Sequence, residues 1–437
     1  MKKKLLKTVL VAMIATSMLL VACTPNNQND SNSGGADSGE EVTITFWGGW
    51  TGPDGDVMRE IVQMYMDEFP HVNIEFEAQQ WTPLFTQFLA EASAGNAPDI
   101  LAMRPMDAGQ FLYMGLLSTS FAETIGIDAT NYSVSAWDST FYNGDQYAIP
   151  IDQHMHAIYY NRDMFEAAGI ESFPVTGEEF VEVARLLTLD SNGRNATEDD
   201  FDQSSIVQFG YNFNMNHHVG FQMAALINQQ GGIPFTADMT EVPFDTEQAI
   251  NALTWIQNLV TEYHVAPVGD VSPIDGFVAG NIAMVLDGPW QLPTIVETDL
   301  NWGTAPFPNV FGSPSAWGNS HIFTFPLNNS NDRQQEAVRD FIRWFDANSG
   351  LWANAGQLPA SNSGIAYAET LPGRQAFIDS MGTMYILPAS PRSAELFGSS
   401  ATSPFPLAAD ALLIEEQDPA SVVEQLRQYM NEILAMP

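Results

Sequence analysis

No lysine occurs after residue 7, and only one cysteine, Cys23, is present in 437 residues. From Cys23 onward the chain carries 11 arginines against 53 aspartates and glutamates, a formal charge of −42. So acidic a chain has nothing with which to neutralise phosphates, which excludes nucleic acid as a partner. It also gains nothing from charge at an anionic lipid surface. Lysine, with a pKa near ~10.4, loses its charge in alkaline surroundings whereas arginine does not, so an alkaline habitat explains the bias. High salt is the competing explanation, because screening relieves the self-repulsion of an acidic surface.

A single cysteine allows no disulfide within the chain, so the fold relies on its core. With 45% hydrophobic residues the chain can bury a full-sized one, in two or three domains. Several chemical signatures are missing: Gly-x-Gly-x-x-Gly, a phosphate loop, His-Glu-x-x-His, a nucleophile elbow, and the kinase and β-lactamase motifs. No repeat of 20 to 50 residues is visible. Fifty-three carboxylates make close acid pairs inevitable, so such pairs do not argue for a glycosidase. The expectation is a protein that is not an enzyme and needs no cofactor.

What is present begins with MKKKLLKTVLVAMIATSMLLVAC, a basic start followed by an apolar segment too short to span a membrane comfortably. Residues 1–22 read as a secretory signal. Leu20-Val21-Ala22-Cys23 resembles the bacterial lipobox, which implies a lipid on Cys23 and a chain tethered to the outer face of the cell membrane. Residues 24–40, TPNNQNDSNSGGADSGE, lack apolar content and read as a flexible tether.

From residue 41 strands and helices alternate. Strands are predicted at 42–47, 72–78, 99–103, 206–213 and 282–287, with extended pieces at 301–306 and 320–326. Helices are predicted at 53–69, with Val57, Ile61, Met64 and Tyr65 at helical spacing, and at 81–94, 178–189, 219–230 and 246–263. Two more follow at 332–347, carrying Val338, Phe341, Ile342 and Phe345 on one side, and at 419–435. This order implies an α/β fold with mainly parallel sheets flanked by helices, in two lobes.

Five segments carry a resemblance: ITFWGGWTGPDG (44–55), GNAPDILAM (95–103), YAIPIDQHMHAIYYNRDMFEAAGI (147–170), GNIAMVLDGPW (280–290) and LPASNSGIA (358–366). In this order they resemble the extracellular solute-binding proteins of carbohydrate-uptake ABC transporters, which are similar to maltose-binding protein. The likeness runs from about residue 42 to the C-terminus. It implies a periplasmic-binding-protein-like fold of two lobes joined by a hinge that the chain crosses several times, with a sugar in the cleft between them. Carried onto this sequence, lobe 1 is 41–152 plus 306–347 and lobe 2 is 153–305 plus 348–437. The implied partners are a sugar, with an oligosaccharide favoured by the many aromatic candidates, and the membrane permease. The receptor is expected as a monomer. A surface sensor or adhesin on the same fold, and a receptor for a metal or another small solute, are the alternatives.

A sugar offers hydroxyls around its edge and apolar C–H faces, so its site needs polar side chains and aromatic plates. Trp47 and Trp50 close the first strand at the end where α/β folds place ligand loops. Trp50 is the stronger plate, while Asp54 either contacts ligand or caps the helix that Pro53 opens. Trp81 is core or cleft. Arg104 follows the 99–103 strand, where the family sets polar residues against sugar, and it either does so or holds a structural carboxylate; Asp107 is equally an N-cap. The resemblance places Trp290 of Asp287-Gly288-Pro289-Trp290 at a helix start facing the cleft, with Asp287 bonding sugar or capping. Trp317 leads the polar cluster Trp-Gly-Asn-Ser-His that ends at His321. Asn214, His217 and His218 precede a helix and serve either ligand or capping, and Arg392 and Phe397 lie near the last crossing. In the strand AIPIDQHMHAIYYN (148–161), alternation puts His154 and His156 on one face. The resemblance gives Asp152 and His154 to the sugar and leaves His156 facing the sugar or the wall behind it. His154, His156, His217 and His218 are possible zinc ligands, but their spacings identify no zinc site and no metal is expected.

Overall fold

The computed structural model describes residues 40–436, apart from 237, 238, 240, 243, 245 and 270. The signal segment, Cys23 and the tether to residue 39 lie outside the described residues. Among those described, no helix is long and apolar enough to cross a membrane.

The strand Val42–Gly48 buries Val42, Ile44 and Phe46 on one side and exposes Thr43, the period-two pattern of a sheet with one face on the core. It pairs in parallel with Val72–Ala78 and Ile100–Met103. Ile322–Thr324 then enters antiparallel to Ile100–Met103, and Ala148–Pro150 closes the five-stranded first sheet. Helix Pro53–Glu68 covers it with Met58, Ile61, Val62 and Tyr65. Met64, expected on that stripe, faces solvent at 46% exposure, because the apolar face is centred on Met58 and Val62 instead. Helix Asp332–Ala347 begins in a capping box of Asn331 and Gln334 and buries Val338, Phe341, Ile342 and Phe345 against the same core, as the sequence predicts.

A second sheet has the strand order Asn212–Phe213, Met284–Asp287, Ala157–Asn161, Trp302–Pro306. Only its first pair is parallel. The two-lobed α/β architecture therefore stands, but with mixed sheets where mainly parallel ones were expected, since strands entering from the other lobe run against their neighbours. The strand expected over 206–213 is broken into Ile206–Gln208 and Asn212–Phe213. Between them Gly210 packs so tightly that a Cβ there would lie 1.8 Å from the Ala184 carbonyl oxygen.

The third sheet joins the other two. Asp152–Met155 runs antiparallel to Leu358–Pro359 and to Ala316–Asn319, which pairs in turn with Met384–Ile386. The single strand expected over 148–161 is thus three short ones, each in a different sheet. The chain breaks at His156, whose backbone N–H donates to the Trp317 carbonyl at 2.9 Å. His154 and His156 nonetheless keep to one side, for both rings lie against Trp290 and Trp317.

Candidate functional site

Where the strand ends of the first sheet meet the joining strands and the second sheet, the described residues enclose a cavity of about 690 Å³. From the first lobe it is lined by the turn after Val42–Gly48, the start of helix Trp81–Ala94, and Arg104. His154, Trp317 and His321 come from the joining strands and the turn between them, and His217, His218, Phe221 and Trp290 from the second lobe.

Two tryptophans in the lining each lie on a glycine. A Cβ on Gly49 would sit 1.9 Å from the Trp81 ring, and one on Gly288 would sit 2.0 Å from the Trp290 ring. Neither glycine has a positive φ, so what the position requires is room for an indole rather than a left-handed backbone. Trp81 also stacks on His321, with centroids 5.3 Å apart and planes 13° from parallel. The Arg104 guanidinium stands 5.7 Å from the Trp81 ring and grips Asp107 through Nε at 2.6 Å and Nη2 at 3.0 Å. Arg104 therefore lines the cavity while committed to a structural carboxylate.

Five of the seven histidines gather here. His154 Nδ1 lies 3.2 Å from Asp152 Oδ1, and His321 Nδ1 lies 2.7 Å from Asp152 Oδ2. The His321 backbone N–H and the Trp352 indole N–H complete the set of donors on that carboxylate. Burial works to raise the Asp152 carboxyl, but His321 and His154 hold it well below the usual carboxylate range. His156 Nε2 meets His218 Nδ1 at 2.8 Å. Burial, helped by neighbouring imidazoles or Arg104, lowers His154 to about 4, His156 to about 3 and His217 to about 3, and holds His218 well below the ordinary value. These four rings are neutral at pH 7. Burial raises Asp54, whose carboxyl group takes the backbone N–H groups of Gly55 and Gly52.

Trp317 stacks face to face on Phe221, centroids 4.4 Å apart and planes 5° from parallel. Its Nε1, the Trp50 Nε1 and both side-chain polar atoms of Gln357 are buried in the cavity wall without a hydrogen-bond partner among the described residues. Such orphans in a native fold call for an explanation.

Of the residues expected to bind, Trp81, Arg104, His154, His217, Trp290 and Trp317 line the cavity. Trp50 also does, but at 2% exposure it is the floor and not a plate, its ring wedged against Phe46, Trp81, His321 and Trp352. Asp152 does not line it, being fully buried behind the two imidazoles it holds. Asp287 is likewise buried behind the wall, while Asn214, half-buried, lies outside the lining. Asp287 takes the Gly288 N–H and the Gln291 amide, and the Asn214 and Trp290 side chains bond to it, so it shapes the turn that carries Trp290. Arg392 lies outside the lining and reaches Glu395 at 3.4 Å, while Phe397 is in it. Trp47 belongs to the core, and His156 to the wall. The four histidines weighed as zinc ligands form no common set. The metal-capable group among the described residues is Asp152, His154 and His321, with ligand atoms within 4.8 Å, and those atoms hydrogen-bond one another.

Residues 49–349 match the model of the family described as bacterial extracellular solute-binding protein. The chain belongs to that family. A curated relative of this solute-binding protein is the maltotriose-binding protein of Pyrococcus abyssi, 23% identical over 405 residues that cover 90% of this chain and 82% of the relative. Among solved structures, the Listeria monocytogenes ABC substrate-binding protein Lmo0181 in complex with cycloalternan superposes with a TM-score of 0.76 at 19% identity. That match covers 91% of this chain and all of the other. The Bdellovibrio bacteriovorus maltose/maltodextrin-binding domain bound to maltotriose gives 0.75 at 19% identity, covering 90% and 99%. At these identities the structures establish the shared fold.

Sequence reasoning passed over Phe221, Gln291 and Gln357 of this solute-binding protein, and named His321 only as a member of a cluster at the cleft. His321 ends the polar cluster begun by Trp317, a signal that was there to use. Gln357 follows Gly356, a glycine at φ 91°, and carries no local mark of function.

Proposed function

We propose that this protein is the sugar receptor of an ABC importer, closing two lobes around an oligosaccharide and handing it to the membrane permease without covalent chemistry. One observation carries the reading: Trp81 from the first lobe and Trp290 from the second, each laid on a glycine, line the same cavity beside unpartnered indole and amide groups. Aromatic faces suit the C–H faces of pyranose rings, and orphan polar atoms suit their hydroxyls. About 690 Å³ lies within the range of pre-formed ligand sites. The relatives named above, whose printed ligands are maltotriose and cycloalternan, support the carbohydrate class.

The lobes are 41–152 plus 306–347 and 153–305 plus 348–437. In support, Ala148–Pro150 and Ile322–Thr324 pair in the first sheet whereas Ala157–Asn161 and Trp302–Pro306 pair in the second. Contacts to Trp81, Arg104, His154, His217, Trp290 and Trp317 favour the closed form, since only there do both lobes touch the ligand. Cys23 carries the lipid that keeps this monomeric receptor beside its permease.

The test is a thermal-shift screen of mono- and oligosaccharides, because a ligand bound only to the native state adds about 2.7 kcal/mol at a hundred times its Kd. A rise in melting temperature with an oligosaccharide is expected. Silence across all sugars, with a hit from peptides, polyamines or metals, would overturn the carbohydrate assignment.

A further inference from the structure

Asp152 is the one expected ligand residue that the fold buries completely, and it stands where three parts of the chain meet. It opens the strand Asp152–Met155, takes the side chain and the backbone N–H of His321 from the turn between Ala316–Asn319 and Ile322–Thr324, and takes the indole N–H of Trp352. An ionised carboxylate can only accept, so every polar atom within reach of it must be a donor. His154 Nδ1 and His321 Nδ1 must therefore both carry protons. Four N–H groups from three segments satisfy the carboxylate. An imidazole that is neutral and protonated on Nδ1 has a bare lone pair on Nε2. Both rings line the cavity, their centroids are 4.4 Å apart, and neither Nε2 has a hydrogen-bond partner among the described residues.

We propose that Asp152 is a positioning residue that never touches ligand: it holds His154 and His321 in the Nδ1–H form, so that two neighbouring Nε2 acceptors face the cavity and select a ligand that offers a pair of adjacent hydroxyl donors. This rests on the saccharide reading and sharpens it. Beside Asp54, whose carboxyl group takes the Gly55 and Gly52 N–H groups, this end of the cavity takes donors, as a vicinal diol presents them.

The same arrangement, a carboxylate fixing two imidazoles, also prepares rings for a transition metal, so the experiment must separate the two. Full exported chain labelled with ¹⁵N at histidine is examined by long-range ¹H–¹⁵N spectroscopy, with the two rings assigned by loss of signal in His154→Gln and His321→Gln. The expected result is protonated Nδ1 and unprotonated Nε2 on both rings at pH 7. Addition of maltotriose, the saccharide probe, should move the two Nε2 signals. In Asp152→Asn the amide can donate, so at least one ring should change tautomer and maltotriose affinity should fall tenfold or more. A purely structural role would leave the wild-type tautomers unconstrained. Should Asp152→Asn fail to fold, the wild-type spectrum still decides, for Nε2–H on either ring overturns the proposal. Stoichiometric zinc binding that moves both Nε2 signals, with saccharide binding abolished by EDTA, overturns it in favour of a metal site. Correct tautomers in a chain that no saccharide stabilises would leave the positioning role standing and refute the saccharide reading instead.

Discussion

Trp81 lies stacked on His321, 5.3 Å between centroids and 13° from parallel, so a plate at a helix start in one lobe rests on an imidazole from the turn that joins the lobes. Replacing Trp81 by Ala removes an aromatic face and uncovers His321. Saccharide affinity should fall by roughly 1–3 kcal/mol, the scale of stacking a planar ring on an aromatic side chain. Calorimetry with maltotriose checks it, and an unchanged Kd would remove Trp81 from the site.

Gly288 tests whether the second plate depends on its seat. An alanine methyl there would overlap the Trp290 ring, while the backbone φ of −97° accepts alanine without strain. Gly288→Ala should weaken binding in the same direction as Trp290→Ala, itself expected to cost about 1–3 kcal/mol, with the far-ultraviolet spectrum unchanged. Full affinity in Gly288→Ala would mean that the ring does not need that seat.

Acid should weaken the fold through its buried imidazoles. His154, His156 and His217 titrate at about 4, 3 and 3 in the folded chain against 6.5 unfolded, so below pH 6.5 the unfolded state binds more protons. Their stabilising effect is complete above pH 6.5 and is lost as the pH falls towards 4 and 3. Asp287, raised to about 6 by burial, acts in the other sense, favouring the folded state as the pH falls through 6 towards 4. Relief of carboxylate repulsion does likewise. The decisive measurement is a difference: His217→Gln should lose less melting temperature between pH 7 and pH 4 than the parent. Parallel curves would show that His217 is not buried as a neutral ring.

A remote loop supplies a control outside the cavity. Asp190, 1% exposed, accepts the Asn192 and Arg194 N–H groups on one oxygen and the Asp202 N–H and Arg194 Nε on the other. Asp190→Asn puts an amide where acceptors are required. Faster amide exchange across residues 190–205 and a lower melting temperature are expected, with saccharide affinity retained. Loss of affinity would tie this loop to the binding cavity.

Much of the site could be read from local sequence because its plates come with local marks. Trp290 stands two residues from the glycine it lies on, so Asp-Gly-Pro-Trp announces itself. Trp81 rests on Gly49, more than thirty residues away, and was legible only as core or cleft. Asp152 was placed one layer too far forward, and Asp287 and Asn214 were left between ligand and cap, since a polar residue that holds a ligand contact has the same composition as one that is a contact. Gln357 carried no mark, because its role arises from two unpartnered atoms that only a wall around them makes costly.

The chain's alternating pattern dictated an α/β fold in two lobes, and its five segments in order carried the resemblance to solute-binding proteins, for these are properties of near neighbours in sequence. Which tryptophan is a plate and which a floor, and which histidine nitrogen faces the ligand, were decided in three dimensions. Asp152, His321 and Trp352 span 200 residues of chain, and no local pattern encodes that one buried carboxylate must satisfy donors from all three segments.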